Sequence, residues 1–315
     1  MNELPAQPQP YGGQALIEGV MIRGLRSVAM AARTPDGRIV TRTEAVDAPF
    51  GQGARKVPLV RGVLTLYETF SVGVKALYWS ARVAMGREDE APSKAEYALA
   101  GASITTAVAV FIAGPVLMTG WMQRAGASAS AEVLAEGGAR IAMLLGYIWF
   151  IGRLPEVQRV FAYHGAEHRT IHAFEHGRPL TVDEVRAFEN AHPRCGTAFL
   201  LTVGVLSFAA FTALGTPSLA ERIAERVILT PVIAAVAYEF LRASQAFERH
   251  PLLRVLQAPN LWLQRLTTRD PDDAQIEVAI EAMKSALQAE AALIAETAPP
   301  DTGPSTAPIP LRPDE

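Results

Sequence analysis

Cysteine and charged residues are scarce in this chain of 315 residues. Its one cysteine, Cys195, excludes an internal disulfide and fits a reducing compartment. Charged residues make up 19% of the sequence, whereas an average globular domain has about 25%. The net charge of −3 gives no indication of nucleic-acid binding. Residues 1–10 are polar and proline-rich and lack the apolar core of a cleavable signal, so we expect a disordered tail there.

The shortage of charge is local, as expected when part of a chain lies in lipid. Residues 97–123 and 196–220 contain no charged residue, and each is long enough to cross a bilayer core, which takes about 20 helical residues. Two shorter apolar segments, 141–152 and 227–238, reach that length only by including flanks whose Arg and Glu side chains pair or extend toward the headgroups. The sequence therefore predicts two spans, or four if both flanks are recruited.

The distribution of Lys and Arg favours four spans. Twelve of these residues precede position 97, six lie between 153 and 194, and the connections at 123–140 and 221–226 carry two each. Because basic segments tend to stay on the cytoplasmic side, we predict a multi-pass protein of the inner (plasma) membrane with both termini in the cytoplasm. The lipid bilayer is then its expected partner.

A small β-containing unit is predicted near the start of the chain. Residues 12–24 are apolar and interrupted by glycines, which suits either a segment that lines a site or a buried strand with turns. Further on, residues 34–37 (Thr-Pro-Asp-Gly) have the composition of a turn and lie between the extended runs 27–33 and 38–46. This second pattern predicts a β-hairpin.

Residues 61–85 are predicted to form an amphipathic helix. Its charged residues recur every seven positions, so they form one stripe on an otherwise apolar cylinder. An interfacial helix lying on the membrane fits this pattern, and a helix in the core of a soluble unit is the alternative. The stripe consists of Arg61, Glu68, Lys75 and Arg82.

The most chemically suggestive segment contains His164, Glu167 and His168 in the order H-x-x-E-H. Residues four apart lie on one face of a helix, so the two histidines are able to share one metal ion. This order is that of the inverzincin motif. The alternative is a polar helix whose histidines meet solvent or carboxylates. A zinc site needs at least a third ligand, and the candidates downstream are Glu175, His192 and Cys195.

The number of ligands separates a catalytic site from a structural one. If His164, His168, His192 and Cys195 all bind, the site is closed and structural, whereas three protein ligands leave a position open for water. In the open case, Glu167 is the expected general base. Glu175 lies about 16 Å along the helix axis from His164. A second site with His168 and His172 would suit Glu175 better.

Near its end the chain is again expected to be soluble. Asp270 is a predicted N-cap, with Pro271 at the first helical position and acidic residues in the first turn. Residues 275–296 continue as an Ala-rich helix, and the Pro- and Thr-rich end is expected to be disordered.

Several blocks of this sequence resemble the YqhQ-like family of bacterial membrane proteins of unknown function. The resemblance covers residues 12–285 and rests on residues 12–24, 35–37, 58–62, 163–168, 192–197, 266–271 and 275–280. Members look like predicted metal-dependent enzymes, so the resemblance implies a membrane protein that uses these histidines. One departure is Arg169, where the family pattern has lysine with the same charge.

We therefore expect a mainly α, integral membrane protein with about four transmembrane helices, a small N-terminal β-containing unit and a C-terminal cytoplasmic helix. The expected function is a metal-dependent hydrolase, for example a peptidase, with a divalent cation such as zinc. The alternatives are a membrane scaffold with a structural metal, a transporter, and a cysteine hydrolase using Cys195. The predicted divisions are a tail (1–10), the β unit (11–56), the interfacial helix (57–90), a membrane domain (97–245) with a cytoplasmic His-rich loop (160–195), a C-terminal helical segment (246–296) and a second tail (297–315).

Overall fold

The computed structural model describes residues 11–46, 53–88, 90, 93–214, 218–246 and 251–297. This part of the chain is mainly helical, with one small sheet near its start. The strands are β1 (Gly12–Leu16), β2 (Gly19–Arg23), β3 (Ser27–Arg33) and β4 (Ile39–Ala45). The helices are α1 (Val60–Ala84), α2 (Lys94–Arg124), α3 (Ala129–Ile151), α4 (Pro155–Glu175), α5 (Val182–Arg186), α6 (Thr197–Leu214), α7 (Leu219–Ala246), α8 (Pro251–Thr267) and α9 (Asp273–Thr297). The predicted tails, 1–10 and 297–315, lie outside the described residues except for Thr297 at the end of α9.

The four strands form an antiparallel meander in the order β1-β2-β3-β4. The predicted hairpin is confirmed, because β3 and β4 pair across a turn in which Gly37 has a φ of +88°. A side chain at Gly37 would be strained, since this left-handed conformation suits glycine. The glycine-punctuated run 12–24 also forms a hairpin, β1–β2, and its first strand lies at the edge of the sheet.

Helices cover both faces of this sheet. On one face, Val20, Ile22 and Ala31 pack with residues of α4 and α9. On the other face, Met21 and Met30 pack against α1. Because successive residues of a strand point to opposite faces, β2 and β3 are buried almost throughout. The N-terminal β unit and the C-terminal helix, which are far apart in sequence, thus share one core.

Within the described residues, four helices are long and apolar enough to cross a membrane: α2, α3, α6 and α7. They pack in a ring, in which α2 contacts α3 and α7 while α6 contacts α3 and α7. No more than 22% of the residues in the apolar window of each helix are buried inside the protein, which indicates contact with lipid. The short apolar segments 141–152 and 227–238 do recruit their flanks, since α3 and α7 each run well beyond them.

The charged flanks of α3 and α7 pair with each other inside the bundle. Glu132 and Glu136 of α3 face Arg222 and Arg226 of α7, and all four side chains are buried. The Arg226 guanidinium also lies 4.2 Å from the ring centroid of Phe211 on α6. A buried charge is tolerated when it is paired and hydrogen-bonded, and this pairing allows both helices to remain long.

The charged stripe of α1 faces protein over most of its length. Glu68 and Arg82 are buried, and Arg82 donates to Glu96 of α2 over 2.8 Å. Arg61 pairs with Glu239 of α7. The opposite side of α1 exposes large apolar side chains at Val60, Val63, Tyr67, Phe70 and Leu77.

Helix α9 begins later than the sequence predicted. Asp272 rather than Asp270 precedes the first helical turn, and its carboxylate accepts from the backbone N–H of Gln275 over 2.8 Å. The side-chain oxygen of Gln275 accepts in return from the N–H of Asp272 over 3.0 Å. This reciprocal capping box satisfies two backbone donors at once. It therefore outcompetes Asp270, whose carboxylate pairs with Arg169 instead.

Candidate metal centre and its pocket

Helix α4 carries the H-x-x-E-H motif along its length, as predicted. Pro155 occupies the start of the helix, where its missing N–H costs no hydrogen bond. Glu167 and His168 are buried, at 3% and 1% exposed. Gly165 allows the chain beyond α8 to approach, because a Cβ there would lie 2.2 Å from the carbonyl oxygen of Arg269. The motif is therefore enclosed by protein and does not form a solvent-facing stripe.

Cys195 reaches His164 although 31 positions separate them in sequence. Its Sγ lies 3.3 Å from Nε2 of His164. The hydroxyl of Thr197, at the first position of α6, lies 3.2 Å from the same sulfur. Burial raises the pKa of the Cys195 thiol, so the neutral thiol is favoured in the absence of a nearby cation.

Backbone carbonyls fix the ring orientation of both motif histidines. Nδ1 of His164 lies 2.9 Å from the carbonyl oxygen of Thr267, and Nδ1 of His168 lies 2.5 Å from that of Asn190. A carbonyl only accepts, so each Nδ1 carries the proton and each Nε2 of a neutral ring keeps its lone pair. Metal-binding histidines are usually held in this way. Burial lowers the pKa of His168 well below its ordinary value, which favours the neutral, ligating form.

His164, His168 and Cys195 bring three potential ligand atoms within 4.8 Å of one another. In a tetrahedral zinc site with bonds of about 2.0–2.3 Å, ligand atoms lie roughly 3.3–3.8 Å apart. The three donors therefore need only small side-chain adjustments to meet at one ion. Two nitrogens and one sulfur form a donor set suited to zinc.

Glu167 lies next to these three ligand atoms but is not one of the three residues that supply them. Its Oε2 is 4.0 Å from Nε2 of His164, and its other oxygen lies beside the backbone of Gly13 in β1. A Cβ at Gly13 would lie 2.5 Å from Oε1 of Glu167, so glycine is required for this approach. Burial is the main cause that raises the pKa of Glu167 to about 8, and His164 and Gly13 act in the opposite direction.

His192 belongs to a second group, with His172 and Glu175, whose ligand atoms also lie within 4.8 Å of one another. The backbone N–H of Arg194 donates to Nδ1 of His192 over 3.2 Å, so Nε2 carries the proton of the neutral ring and points toward Glu175, 3.5 Å away. Arg194 pairs with the same carboxylate. A protonated Nε2 and an adjacent guanidinium suit an ionic network better than a cation site. The four ligands proposed from the sequence thus separate into a group of three and His192.

A cavity of about 360 Å³ opens onto the first group. His164, Glu167, His168 and Cys195 line it together with residues 12–15 of β1 and the middle of α4. The rest of its wall consists of Tyr11, Val160, Phe161, Ile171, His192, Arg194, Gly196, Thr197 and Thr267. The run 12–24, for which the sequence left open a site-lining role, contributes strand β1 to this wall.

The sequence did not indicate the residues that orient the histidines. Thr267 and Asn190 contribute through backbone carbonyls, which any residue type offers, so no side-chain pattern marks them. Gln264 of α8 clamps the backbone of His192 by accepting from its N–H over 2.8 Å and donating to its carbonyl over 2.9 Å. A lone glutamine in an amphipathic helix gives no such signal.

Fold and composition together define a helical protein with four apolar helices able to span a membrane, joined to a sheet-and-helix unit that holds a histidine–cysteine cluster. The chain belongs to the DUF1385 family, described as proteins of unknown function, whose model matches residues 57–289. It is 33% identical over 299 residues to the uncharacterized protein YqhQ of Bacillus subtilis (strain 168), covering 90% of this chain and 94% of that protein. The resemblance recognised from the sequence is thereby confirmed. No solved structure matches the chain.

Proposed function

We propose that this protein is a multi-pass protein of the inner (plasma) membrane and a metal-dependent hydrolase whose site lies on the cytoplasmic side. The observation that carries the proposal is the position of Glu167. This carboxylate lies in the same open cavity as His164, His168 and Cys195, and in the described part of the chain no Lys or Arg side chain pairs with it. A buried carboxylate beside three ligand atoms is the arrangement that metal-assisted hydrolysis requires.

The donor set fits a divalent cation. The Nε2 atoms of His164 and His168 are available in the neutral rings, and a cation would favour ionisation of the Cys195 thiol, which burial disfavours. Three protein ligands leave a fourth position open, as in catalytic zinc sites. When bound, the ion would polarise a carbonyl group and lower the pKa of water. The separation of His192 from the group supports this open site over a closed structural one.

Glu167 is the proposed general base. One oxygen of its carboxylate lies beside Gly13, and the other lies 4.0 Å from Nε2 of His164. It is therefore positioned to accept a proton from water in the cavity and to return it to a leaving group. Burial raises its pKa and so disfavours the carboxylate form, whereas a cation bound beside it would favour that form.

The length of α6 supports a position at the membrane surface. Its 18 residues span about 27 Å, whereas the bilayer core is about 30 Å thick. A helix with so little excess length must begin close to the headgroups if it spans. Cys195 is two residues from that beginning, so the site would lie at the boundary between lipid and cytoplasm.

Metal content and turnover in point variants test the proposal. Zinc per chain, measured by mass spectrometry on detergent-purified protein, should fall sharply in His168→Ala and remain in Glu167→Gln. Hydrolysis of a panel of fluorogenic esters and peptides should fall by about 10²–10⁴-fold in Glu167→Gln, the usual effect of losing a general base. His176→Ala, which removes an exposed histidine outside both groups, is the control and should change neither quantity.

Two results would contradict this function. A wild-type protein without any transition metal, with His168→Ala indistinguishable from it, removes the metal site. Bound metal without any turnover points to a structural site in a scaffold, and turnover unchanged in Glu167→Gln removes Glu167 as the base.

A further inference from the structure

Strand β1 is the edge of the sheet, so among the described residues one side of its backbone has no neighbouring strand. The N–H of Ile17, just beyond the strand, points away from β2 and donates to the hydroxyl of Ser80 over 3.2 Å. Backbone groups alternate along a strand, so the N–H of Gly13 points to the same side, where Glu167 of α4 lies beside this glycine. Positions 13 and 17 therefore define the outward side of this edge.

Ala15 lies midway between these two contacts and faces the same way. Backbone groups alternate along a strand, so the N–H and C=O of residue 15 point to the same side as those of residue 13. Ala15 lines the cavity, and no other described residue is hydrogen-bonded to these two outward groups. An N–H and C=O presented in this way are a template for a further strand.

We propose that β1 binds an extended polypeptide as an added strand and thereby presents a peptide bond to Glu167. This inference rests on the proposed hydrolase function and names its substrate class. Strand addition supplies main-chain hydrogen bonds, while pockets beside the strand accept alternate side chains. Hydrolysis would add the oxygen of one water to the carbonyl carbon while the C–N bond breaks, and Glu167 would carry a proton from that water to the leaving nitrogen.

Space and polarity along the edge agree with a polypeptide. Gly12 is exposed, and a Cβ built on it would meet no atom within 4 Å, so the face of the sheet is open at that position. The walls beside the strand are largely apolar and include Val160, Phe161 and Ile171. A largely uncharged segment of an unfolded or membrane-anchored protein fits this surface.

Peptide binding is measured separately from turnover to test the inference. The probe is a fluorescein-labelled hexapeptide of alternating leucine and threonine with neutral ends, and the readout is fluorescence anisotropy. The protein is the full chain carrying Glu167→Gln in lipid nanodiscs, with empty nanodiscs as background.

Ala15→Pro removes the outward N–H and leaves the ladder to β2 intact, because proline is accepted at such edge positions. Loss of one hydrogen bond should weaken binding about fivefold. Thr43→Pro on the opposite edge strand β4 is the matched control and should bind like the parent.

A second arm leaves the protein unchanged. Methylating the peptide nitrogens at every second position should abolish binding in one register and leave it in the other, because only alternate N–H groups face β1. Equal effects in both registers, or equal binding by Ala15→Pro and its parent, would overturn the inference. Register-dependent binding without any hydrolysis by the unsubstituted protein would instead sink the hydrolase function and leave the peptide site standing.

Discussion

Arg222 of α7 donates to the carboxylate of Glu132 on α3 over 2.6 Å, and both side chains are only 1% exposed. Ninety positions separate the two residues in sequence. Each charge lies within a helix that is otherwise apolar enough to span a membrane. The pair therefore joins the second and fourth of these helices, and neither charge is stable there without the other.

Exchanging the charges of Glu132 and Arg222 should restore the thermal stability that either single substitution lowers. Glu132→Arg or Arg222→Glu alone leaves like charges facing each other, and breaking a buried pair costs about 3–5 kcal/mol. The double variant re-forms the pair with reversed polarity and should recover most of the thermal stability of detergent-purified protein, followed by intrinsic fluorescence. Glu281→Arg, at an exposed pair on α9, should change stability by less than about 1 kcal/mol. A double variant no more stable than either single one would show that the pair is not what stabilises the bundle.

The same charges bear on the predicted four-span topology, because they change which basic residues count as loop residues. Arg140, Arg222 and Arg226 had been counted as loop residues, but they lie within α3 and α7 and pair with glutamates there. The connections opposite the histidine site are therefore even poorer in basic residues than the sequence suggested. This increases the asymmetry that keeps basic segments in the cytoplasm.

Cysteine labelling in intact cells tests that orientation. In a Cys195→Ser background, cysteines at Ala125 and Ala220, both exposed next to the ends of apolar helices, should react with an impermeant maleimide. A cysteine at Ala187, exposed near the histidine site, should react only after the cells are opened. Labelling at 187 from outside, with none at 125 and 220, would invert the topology and place the site on the other side of the membrane.

The apolar side of α1 is predicted to contact lipid. Phe70 is 57% exposed on that side, and Lys75 lies about 140° away around the helix. An environment-sensitive NBD label on a cysteine at position 70, again without Cys195, should emit at shorter wavelength and be quenched by spin-labelled lipids in nanodiscs. The same label at position 75 should respond weakly to both. Identical spectra and quenching at the two positions would mean that this side of α1 does not meet the bilayer.

Elements whose patterns are local were predictable from the amino-acid sequence. Two charge-free runs of spanning length predicted α2 and α6, and the four-residue spacing of His164 and His168 placed both on one side of α4. The Thr34–Gly37 turn predicted the β3–β4 hairpin. Such patterns act through neighbouring backbone atoms or through the periodicity of one helix, so each is complete within a short segment.

Contacts between residues far apart in the sequence became known from the folded structure. Cys195 joins the two motif histidines, whereas His192, three residues earlier, is turned toward Glu175 by its hydrogen bond from Arg194. The cap of α9 is Asp272, which forms a capping box with Gln275, whereas Asp270 pairs with Arg169. The carbonyl oxygens that orient the histidines belong to the backbone, so no residue type in the sequence marks them. Most of these contacts join segments that are far apart in the chain. Their energies are not determined by the pattern of residues within any one segment.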